Sequence, residues 1–319
     1  MLTKVEKKHD VDIYQIALDS IKKDVILPYD IYIQKDDSTV AIKAGTLIDE
    51  KVYDVLQAQK AVFISKKDMD IRKNESKNLE KYVYFFKDRA EYCIEYLYKM
   101  NDIFFDNFFN SPDNKFDIED VESMIKSIIL LIKNDKYFVK ENIIHLQNDY
   151  MLAHHSLHVA LYAVYLGNGL GLREKELLIL GKAGYLQDIG IKKIDKKILE
   201  KDTPLSLDEL ENLHKHTRYS VDIIKHNHVH EPHIIEAIMH HHESYDGSGY
   251  PQRLKKNEIS KYSAILSICD VFDALTSIRP YRKEMSSFEA LTYMMKNEQM
   301  RYRFNNHYIR IFITSLVKV

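Results

Sequence analysis

The chain has 319 residues, of which 45% are hydrophobic and 29% charged, a composition typical of a folded protein with room for about two domains. Its formal net charge of −2 excludes the broadly basic surface that duplex nucleic acid would require, so a phosphate substrate would need local cations or metal ions. Nine glycines and six prolines are few for this length and favour long helices with short connections.

The cysteines and the N-terminus indicate the cellular compartment. Cys93 and Cys269 each lie in an apolar stretch, and their number and spacing fit neither a disulfide framework nor a zinc site. The first ten residues, MLTKVEKKHD, lack the apolar run of a signal peptide, and no stretch approaches the roughly 20 apolar residues that cross a bilayer. We therefore expect a cytoplasmic protein with no membrane partner.

The region from about Asp12 to Lys66 is predicted to form a small β-rich or α/β module. Three short apolar runs are typical of strands: 31–33, 40–42 and 61–64. Residues 49–59 carry apolar side chains at helical spacing. Because the module contains no catalytic constellation, a structural or partner-docking role is favoured over a small-ligand sensor.

A helical segment is predicted to follow this module. Residues 68–78 are charged and indicate a linker, after which aromatic side chains recur at helical spacing over 79–109 and residues 121–133 are strongly amphipathic. The aromatic stripe favours a core or a homodimer surface over a ligand site. The predicted fold class is mainly α, and the predicted domains are a regulatory or docking module at 1–67, a helical linker and dimerisation region at 68–148, and a helical domain at 149–319.

Imidazole and carboxylate side chains cluster in the C-terminal half, at or near the ends or faces of separate predicted helices. They are His154, His155, His158, Asp188, His214, His216, His240, His241, His242 and Asp270. Two divalent ions a few ångströms apart need roughly five to eight such ligands and a bridging carboxylate, which converging helices supply. Any single histidine is better explained as an ordinary surface or core residue, but the set favours a two-metal hydrolase.

Five segments resemble, in order and spacing, the HD-GYP phosphodiesterase domain. They are HSLHVA from His155, LQDIG around Asp188, the turn at His216, HHESYDGSGYP from His241, and CDVFDALTSIRPYR around Asp270. The resemblance covers residues 149–307 and depends most on DGSGYP followed by DVFDALTS and RPYR. It implies an all-helical bundle with a two- or three-metal centre, often of iron or manganese, that opens cyclic di-GMP to the linear dinucleotide or to GMP.

The resemblance also implies a role for each matching side chain. Metal ligands are expected at His155, Asp188, His216, His241, His242 and Asp270, and Asp188 is expected to bridge the ions. Asp188 and Asp270 are the expected catalytic residues, because they would moderate the charge of the cluster and position the nucleophile. Substrate contacts are expected from Tyr250, Asp273, Arg279, Arg282, Gly247 and Gly249. Three of these have a structural alternative: Tyr250 could instead fix its loop, Asp273 could hold a ligand histidine, and Arg279 could form an ion pair.

Three positions depart from the family pattern. Gln187 replaces the histidine of the name-giving His–Asp pair, and an amide is a poorer ligand than imidazole for iron or manganese, so one metal should bind weakly or not at all. Ile191 stands where a lysine is expected near the scissile phosphate, and Lys192 comes one residue late, a rotation of about 100° on a helix. Met151 replaces the glutamate of the three-metal subtype, so two ions are the upper limit.

Three functional hypotheses follow. The favoured one is a metal-dependent phosphodiesterase that hydrolyses cyclic di-GMP. The alternative is a catalytically degenerate domain that binds cyclic di-GMP or docks a diguanylate cyclase (GGDEF) partner. Docking would use the GYP loop, the segment that contains Gly249, Tyr250 and Pro251. Departures at Gln187 and Ile191 motivate the alternative, whereas survival of the other ligands opposes it. The third is hydrolysis of a different cyclic dinucleotide, such as the mixed adenine–guanine form, because base preference depends on side chains outside the motif.

Overall fold

The computed structural model describes residues 2–5, 13–16, 21, 23, 27, 30–35, 38–43, 46–59, 61–65, 79, 83, 90–134, 152–278 and 283–317. The chain divides into two compact units, Met1–Leu97 and Tyr98–Val319. Most described residues are helical, which confirms the predicted mainly α fold class. The predicted domain boundaries at 67/68 and 148/149 stay predictions.

The described part of the first unit contains a five-stranded antiparallel sheet and a short helix that follows its fourth strand. The strands are β1 (Leu2–Val5), β2 (Ile13–Ile16), β3 (Ile31–Lys35), β4 (Ser38–Ile42) and β5 (Val62–Ser65), in the order β1-β4-β3-β5-β2. Helix α1 (Glu50–Gln57) begins after Asp49, whose carboxylate accepts a hydrogen bond from the backbone N–H of Val52 at 2.9 Å. The three predicted strands and the helix are present, whereas β1 and β2 are four-residue strands that the prediction missed.

The core of this unit is aliphatic. Ile31, Ile33, Ile42, Leu56 and Val62 are buried in one cluster, in which the alternating residues of β3 meet the apolar side of α1.

The remaining helices build the larger unit. Helix α2 (Ala90–Asn110) contains the division point, and the others are α3 (Ile118–Asn134), α4 (Leu152–Gly169), α5 (Glu174–Leu186), α6 (Lys196–Leu199), α7 (Leu207–His214), α8 (His216–His226), α9 (Pro232–Met239), α10 (Lys261–Thr276), α11 (Ser287–Lys296) and α12 (Asn306–Val317). Two short 3-10 helices lie at Ile189–Lys193 and Lys256–Glu258. None of the helices in the described part of the chain has the length and apolar character of a membrane span.

Helix α4 is the centre of the bundle. Its residues are buried almost continuously from Ala153 to Gly167, and it packs against α3, α5, α10 and α12. A helix that is apolar on all sides is the type that a core buries completely. Polar side chains on α4 therefore face other elements of the bundle, and the predicted helix that carries His154, His155 and His158 is this one.

Candidate metal centre

Two groups of candidate ligands share one carboxylate. Asp188, His216, His241 and His242 form one group, and His155, Asp188 and Asp270 form the other. Within each group the ligand atoms all lie within 4.8 Å of one another. Because Asp188 belongs to both groups, its carboxylate would be the ligand that two ions share.

Local structure explains how separate elements deliver these side chains. His155 lies in the first turn of α4, Asp188 directly precedes the 3-10 helix Ile189–Lys193, His216 is the first residue of α8, His241 and His242 follow the end of α9, and Asp270 lies within α10. Helix ends and short turns supply most of the set, since these are the points where elements converge on the bundle interior.

The oxygens of Asp188 face three imidazoles. Its Oδ1 lies 3.2 Å from His216 Nε2 and 3.4 Å from His241 Nε2, and its Oδ2 lies 3.4 Å from His155 Nε2. Burial would raise the pKa of Asp188, but the three adjacent histidines hold it well below its usual range. The carboxylate is therefore ionised and available to a cation.

The donor set fits a divalent metal ion. His216 Nδ1 and His241 Nδ1 lie 2.7 Å from the backbone carbonyls of Leu213 and Ile238, and a carbonyl only accepts, so these nitrogens carry the protons. Both Nε2 lone pairs then face Asp188 Oδ1. These three buried atoms have no hydrogen-bond partner among the described residues. Buried acceptors that face one another are costly unless a proton or a metal ion lies between them.

Gln187 lies beside the second group. Its side chain is fully buried, and its amide nitrogen donates to Asp270 Oδ1 at 3.3 Å. The same oxygen lies 3.2 Å from His155 Nε2. The amide oxygen of Gln187 has no hydrogen-bond partner within the described ranges, so the position is compatible with the predicted weak ligand.

Comparison with known proteins identifies the family. The HD domain family profile matches residues 139–304, just over half of the chain. The chain belongs to the HD domain family.

Curated relatives of this HD domain protein are named phosphodiesterases. It is 34% identical over 146 residues to 3'3'-cGAMP-specific phosphodiesterase 3 of Vibrio cholerae, covering 46% of this chain and 31% of that protein. It is 30% identical over 140 residues to the cyclic di-GMP phosphodiesterase PA4108 of Pseudomonas aeruginosa, covering 44% and 34%. It is 36% identical over 126 residues to the cyclic di-GMP phosphodiesterase response regulator RpfG of Xanthomonas campestris, covering 39% and 33%. The aligned segments span about a third of each relative.

A solved structure supports the fold. An HDG"Y"P protein from Bdellovibrio bacteriovorus has a TM-score of 0.59 to this chain at 15% identity, covering 94% of this chain and 98% of that one. With the family match, this confirms the predicted resemblance to HD-GYP proteins, and the names of the relatives support the leaning towards an enzyme.

Asp273 of the HD domain lies behind the metal-ligand groups. It has no exposed surface, and its two oxygens accept hydrogen bonds from His155 Nδ1 at 2.7 Å and His158 Nδ1 at 2.9 Å. Burial would raise the pKa of Asp273, but the two histidines hold it well below its usual range. Because it offers no surface to a substrate, its position favours orienting His155, the second of the two roles considered for it, over a substrate contact.

Tyr250 packs into the site from the GYP loop. Its ring is stacked on His214 at 3.6 Å between centroids and lies 4.7 Å from the ring of His242. Burial raises the pKa of its hydroxyl above the ordinary value, and the charges of Asp188 and Asp270 add to the effect. Tyr250 therefore fixes the loop against a candidate metal ligand, whether or not it also contacts a substrate.

The loop's own packing explains its glycines. Gly247 has a φ of 84°, and a Cβ added at Gly249 would lie 2.3 Å from the backbone nitrogen of Ser244 and 2.4 Å from the carbonyl oxygen of His242. A side chain at Gly249 would thus collide with the turn that follows the paired histidines. Substrate contact by these glycines stays a prediction.

Lys192 does not replace the missing cation. Its ammonium group donates to the carbonyl oxygens of Phe108 at 2.8 Å and Ser111 at 2.7 Å, at the C-terminal end of α2. The negative end of a helix dipole favours a cation there. Lys192 therefore binds the end of α2 and does not supply the cation that is missing at Ile191. Arg279, Arg282 and Met151 lie outside the described residues.

Gly190 sets the distance between Asp188 and the helix of His216. An added Cβ would lie 2.2 Å from the carbonyl oxygen of His216 and 2.4 Å from the backbone nitrogen of Ser220. Gly190→Ala should therefore cost about 1–3 kcal/mol by overpacking and also weaken metal binding. Denaturant unfolding and metal titration measure the two effects. Gly171→Ala is the control, because that position also resists a side chain through its φ of 76° but has open space around it. Parental metal binding by Gly190→Ala would contradict this geometry.

Proposed function

We propose that the chain is a metal-dependent phosphodiesterase that hydrolyses a cyclic dinucleotide, with cyclic di-GMP as the favoured substrate. The observation that carries the proposal is the sharing of Asp188 between two ligand groups. In the first group, Asp188 Oδ1 and the Nε2 atoms of His216 and His241 are buried and lack hydrogen-bond partners among the described residues. The names of the relatives, phosphodiesterases of cyclic di-GMP or 3'3'-cGAMP, support the substrate class.

Two divalent ions at most, iron or manganese, would be held by these groups. One would take His216, His241, His242 and Asp188, and the other His155, Asp188 and Asp270 with a weak contribution from Gln187. When bound, such ions activate water and neutralise charge at phosphorus. Imidazole suits iron, and carboxylate oxygen suits manganese, so the mixed donor set accommodates both.

The chain's own side chains would perform the remaining tasks. Asp188 would keep the two ligand groups together and offset their positive charge. Asp270, ionised because His155 outweighs the effect of burial on its pKa, would orient the attacking water. Arg279 and Arg282 would hold the phosphodiester through guanidinium hydrogen bonds. A cytoplasmic location and homodimerisation through the aromatic helices stay predictions.

A non-catalytic role is the second candidate. Compared with the family pattern, Gln187 stands in place of an imidazole ligand and Ile191 in place of a cation, both in one short segment. Lys192 binds the end of α2 instead of the site. A domain with these losses would bind cyclic di-GMP, or a diguanylate cyclase partner through the GYP loop, without hydrolysing the nucleotide.

Hydrolysis of two substrates distinguishes these candidates. The metal-free chain is incubated without oxygen with Fe(II) or Mn(II) and either cyclic di-GMP or 3'3'-cGAMP, and products are separated by chromatography. The proposal predicts metal-dependent formation of the linear dinucleotide or the mononucleotide, faster from cyclic di-GMP. Faster cleavage of 3'3'-cGAMP would reassign the substrate. Binding of cyclic di-GMP without product under either metal would favour the non-catalytic role.

A further inference from the structure

A line of hydrogen bonds connects helix α2 with one group of candidate ligands. The hydroxyl of Tyr98 lies 2.5 Å from His158 Nε2, and His158 Nδ1 lies 2.9 Å from Asp273 Oδ1. The other oxygen of Asp273 lies 2.7 Å from Nδ1 of the ligand His155. His158 and Asp273 are 2% and 0% exposed, so the two hydrogen bonds that Asp273 accepts are shielded from water.

Each member of this line fixes the proton of the next. Because the Asp273 carboxylate accepts, the proton of His158 lies on Nδ1, and the Tyr98 hydroxyl then donates to His158 Nε2. Asp273 then also accepts from His155 Nδ1, which turns the lone pair of His155 Nε2 towards Asp188 and Asp270. Carboxylates that hold a ligand imidazole in this way set both its orientation and its basicity.

The two ligand groups are held by different means. His216 and His241 are fixed by backbone carbonyls three residues earlier in the chain, Leu213 and Ile238. Those contacts are local in sequence and involve only the backbone directly before each histidine. His155 is instead held by Asp273 of α10, which His158 connects to Tyr98 of α2. Its group is therefore linked to α2 by side chains.

Further contacts hold α2 in register with the bundle. Asn101 is fully buried; its amide nitrogen donates to the carbonyl of Ala153 at 3.0 Å, and its amide oxygen accepts from the hydroxyl of Tyr185 at 2.9 Å. Ala153 lies two residues before His155 on α4. Tyr98 lies outside the 139–304 segment that matches the HD domain family, so this connection is additional to the family's domain.

We propose that Tyr98 and His158 are positioning residues for the group formed by His155, Asp188 and Asp270, and that through them the position of α2 sets the metal affinity of this group alone. The inference depends on the metal centre of the proposed function but not on hydrolysis. Metal binding is therefore the readout, and a chain that binds two ions without hydrolysing a dinucleotide would still test it.

Three variants separate positioning from general packing. Tyr98→Phe removes only the hydroxyl that donates to His158 Nε2. His158→Leu removes the donor to Asp273, whereas His158→Asn keeps an N–H donor near the position of Nδ1. Tyr165→Phe is the matched control. Tyr165 lies on α4, as His158 does, and its hydroxyl donates to the carbonyl of Ser315 at 2.8 Å, away from the ligand groups.

Each variant is made both in the parent chain and in a Gln187→His chain, in which the weaker ligand group should bind its ion more tightly. Mn(II) is titrated into each metal-free full-length protein, and equilibrium dialysis measures the free and the bound ion. We expect Tyr98→Phe and His158→Leu to lower the affinity for one of the two ions by about tenfold and to leave the affinity for the other unchanged. His158→Asn should recover part of the loss, and Tyr165→Phe should match the parent.

Several results would overturn the inference. Parental affinity for both ions in Tyr98→Phe and His158→Leu would show that the hydrogen bonds do not position His155. Equal weakening of both ions, or the same loss in Tyr165→Phe, would show a general packing effect. A Gln187→His chain that binds a single ion would reject the two-group centre and this inference together.

Discussion

Replacement of Asp188 by alanine is expected to remove both ions and to reduce hydrolysis more than about a hundredfold. Loss of a residue that merely supports a ligand typically costs about 10- to 100-fold in metal affinity or activity, and Asp188 is a direct member of both ligand groups. Without its carboxylate, three buried imidazoles would face one another with no anion between them. Elemental analysis of the purified protein and product chromatography measure the two losses.

The control for Asp188→Ala is Asp222→Ala. Asp222 lies on α8, the helix that begins at His216, and forms an exposed ion pair with Arg218 at 3.3 Å. Exposed pairs of this kind contribute little to stability, so the control should keep the metal content and activity of the parent. A folded Asp188→Ala protein that retains the parental metal content would refute the assignment of Asp188 as the shared ligand.

Replacement of Gln187 by histidine is expected to tighten the more weakly bound ion at least about tenfold, or about 1.4 kcal/mol, and to raise hydrolysis when metal is limiting. Gln187 is fully buried beside Asp270 and His155, with its amide oxygen lacking a hydrogen-bond partner in the part of the chain described. Imidazole is a better ligand than an amide for iron or manganese. Metal titration followed by initial-rate measurements at each metal concentration checks both effects.

Gln187→Leu is the matched control for that gain. Leucine has a similar volume but no ligand atom, so it should bind the weaker ion no better than the parent does. If Gln187→His has the affinity and rate of the parent, the amide is either an adequate ligand or irrelevant to the centre, and the description of this group as weakened is wrong.

The sequence alone predicts the set of ligand candidates because each belongs to a short motif. Paired histidines before DGSGYP and an aspartate in an apolar helix are local patterns, and helix ends place them at the bundle interior. The arrangement around Asp188 could be inferred only through the family resemblance, because the ligand groups unite elements from α4 to α10. Strands β1 and β2 are too short for their alternation to stand out.

Contacts between distant residues explain what the sequence could not predict. His158 is three residues after His155 and shares its helix face, which was a usable signal for a supporting role. Asp273 holds His155 across 118 residues of sequence, and Lys192 reaches Phe108 across 84. No local pattern specifies such partners. Tyr98 is one of many tyrosines in an aromatic helix, and only the structure distinguishes it from its neighbours.

The two ligand groups together suggest an unequal centre. One group has three imidazoles and Asp188, with two of its histidines fixed by adjacent backbone carbonyls. The other has one imidazole and two carboxylates, lies beside the amide of Gln187, and is connected by a line of hydrogen bonds to α2. We therefore expect the ions to bind in sequence, with the His216 group filled first.

Stepwise addition of Mn(II) to the metal-free chain, with bound metal per chain and the rate of cyclic di-GMP hydrolysis measured at each step, tests the central claim most directly. The account predicts no hydrolysis without metal, a tight first ion with little activity, and a rate that rises as a second, weaker ion binds. Hydrolysis by the metal-free chain, or two bound ions per chain with no hydrolysis at any concentration, would contradict a two-metal phosphodiesterase.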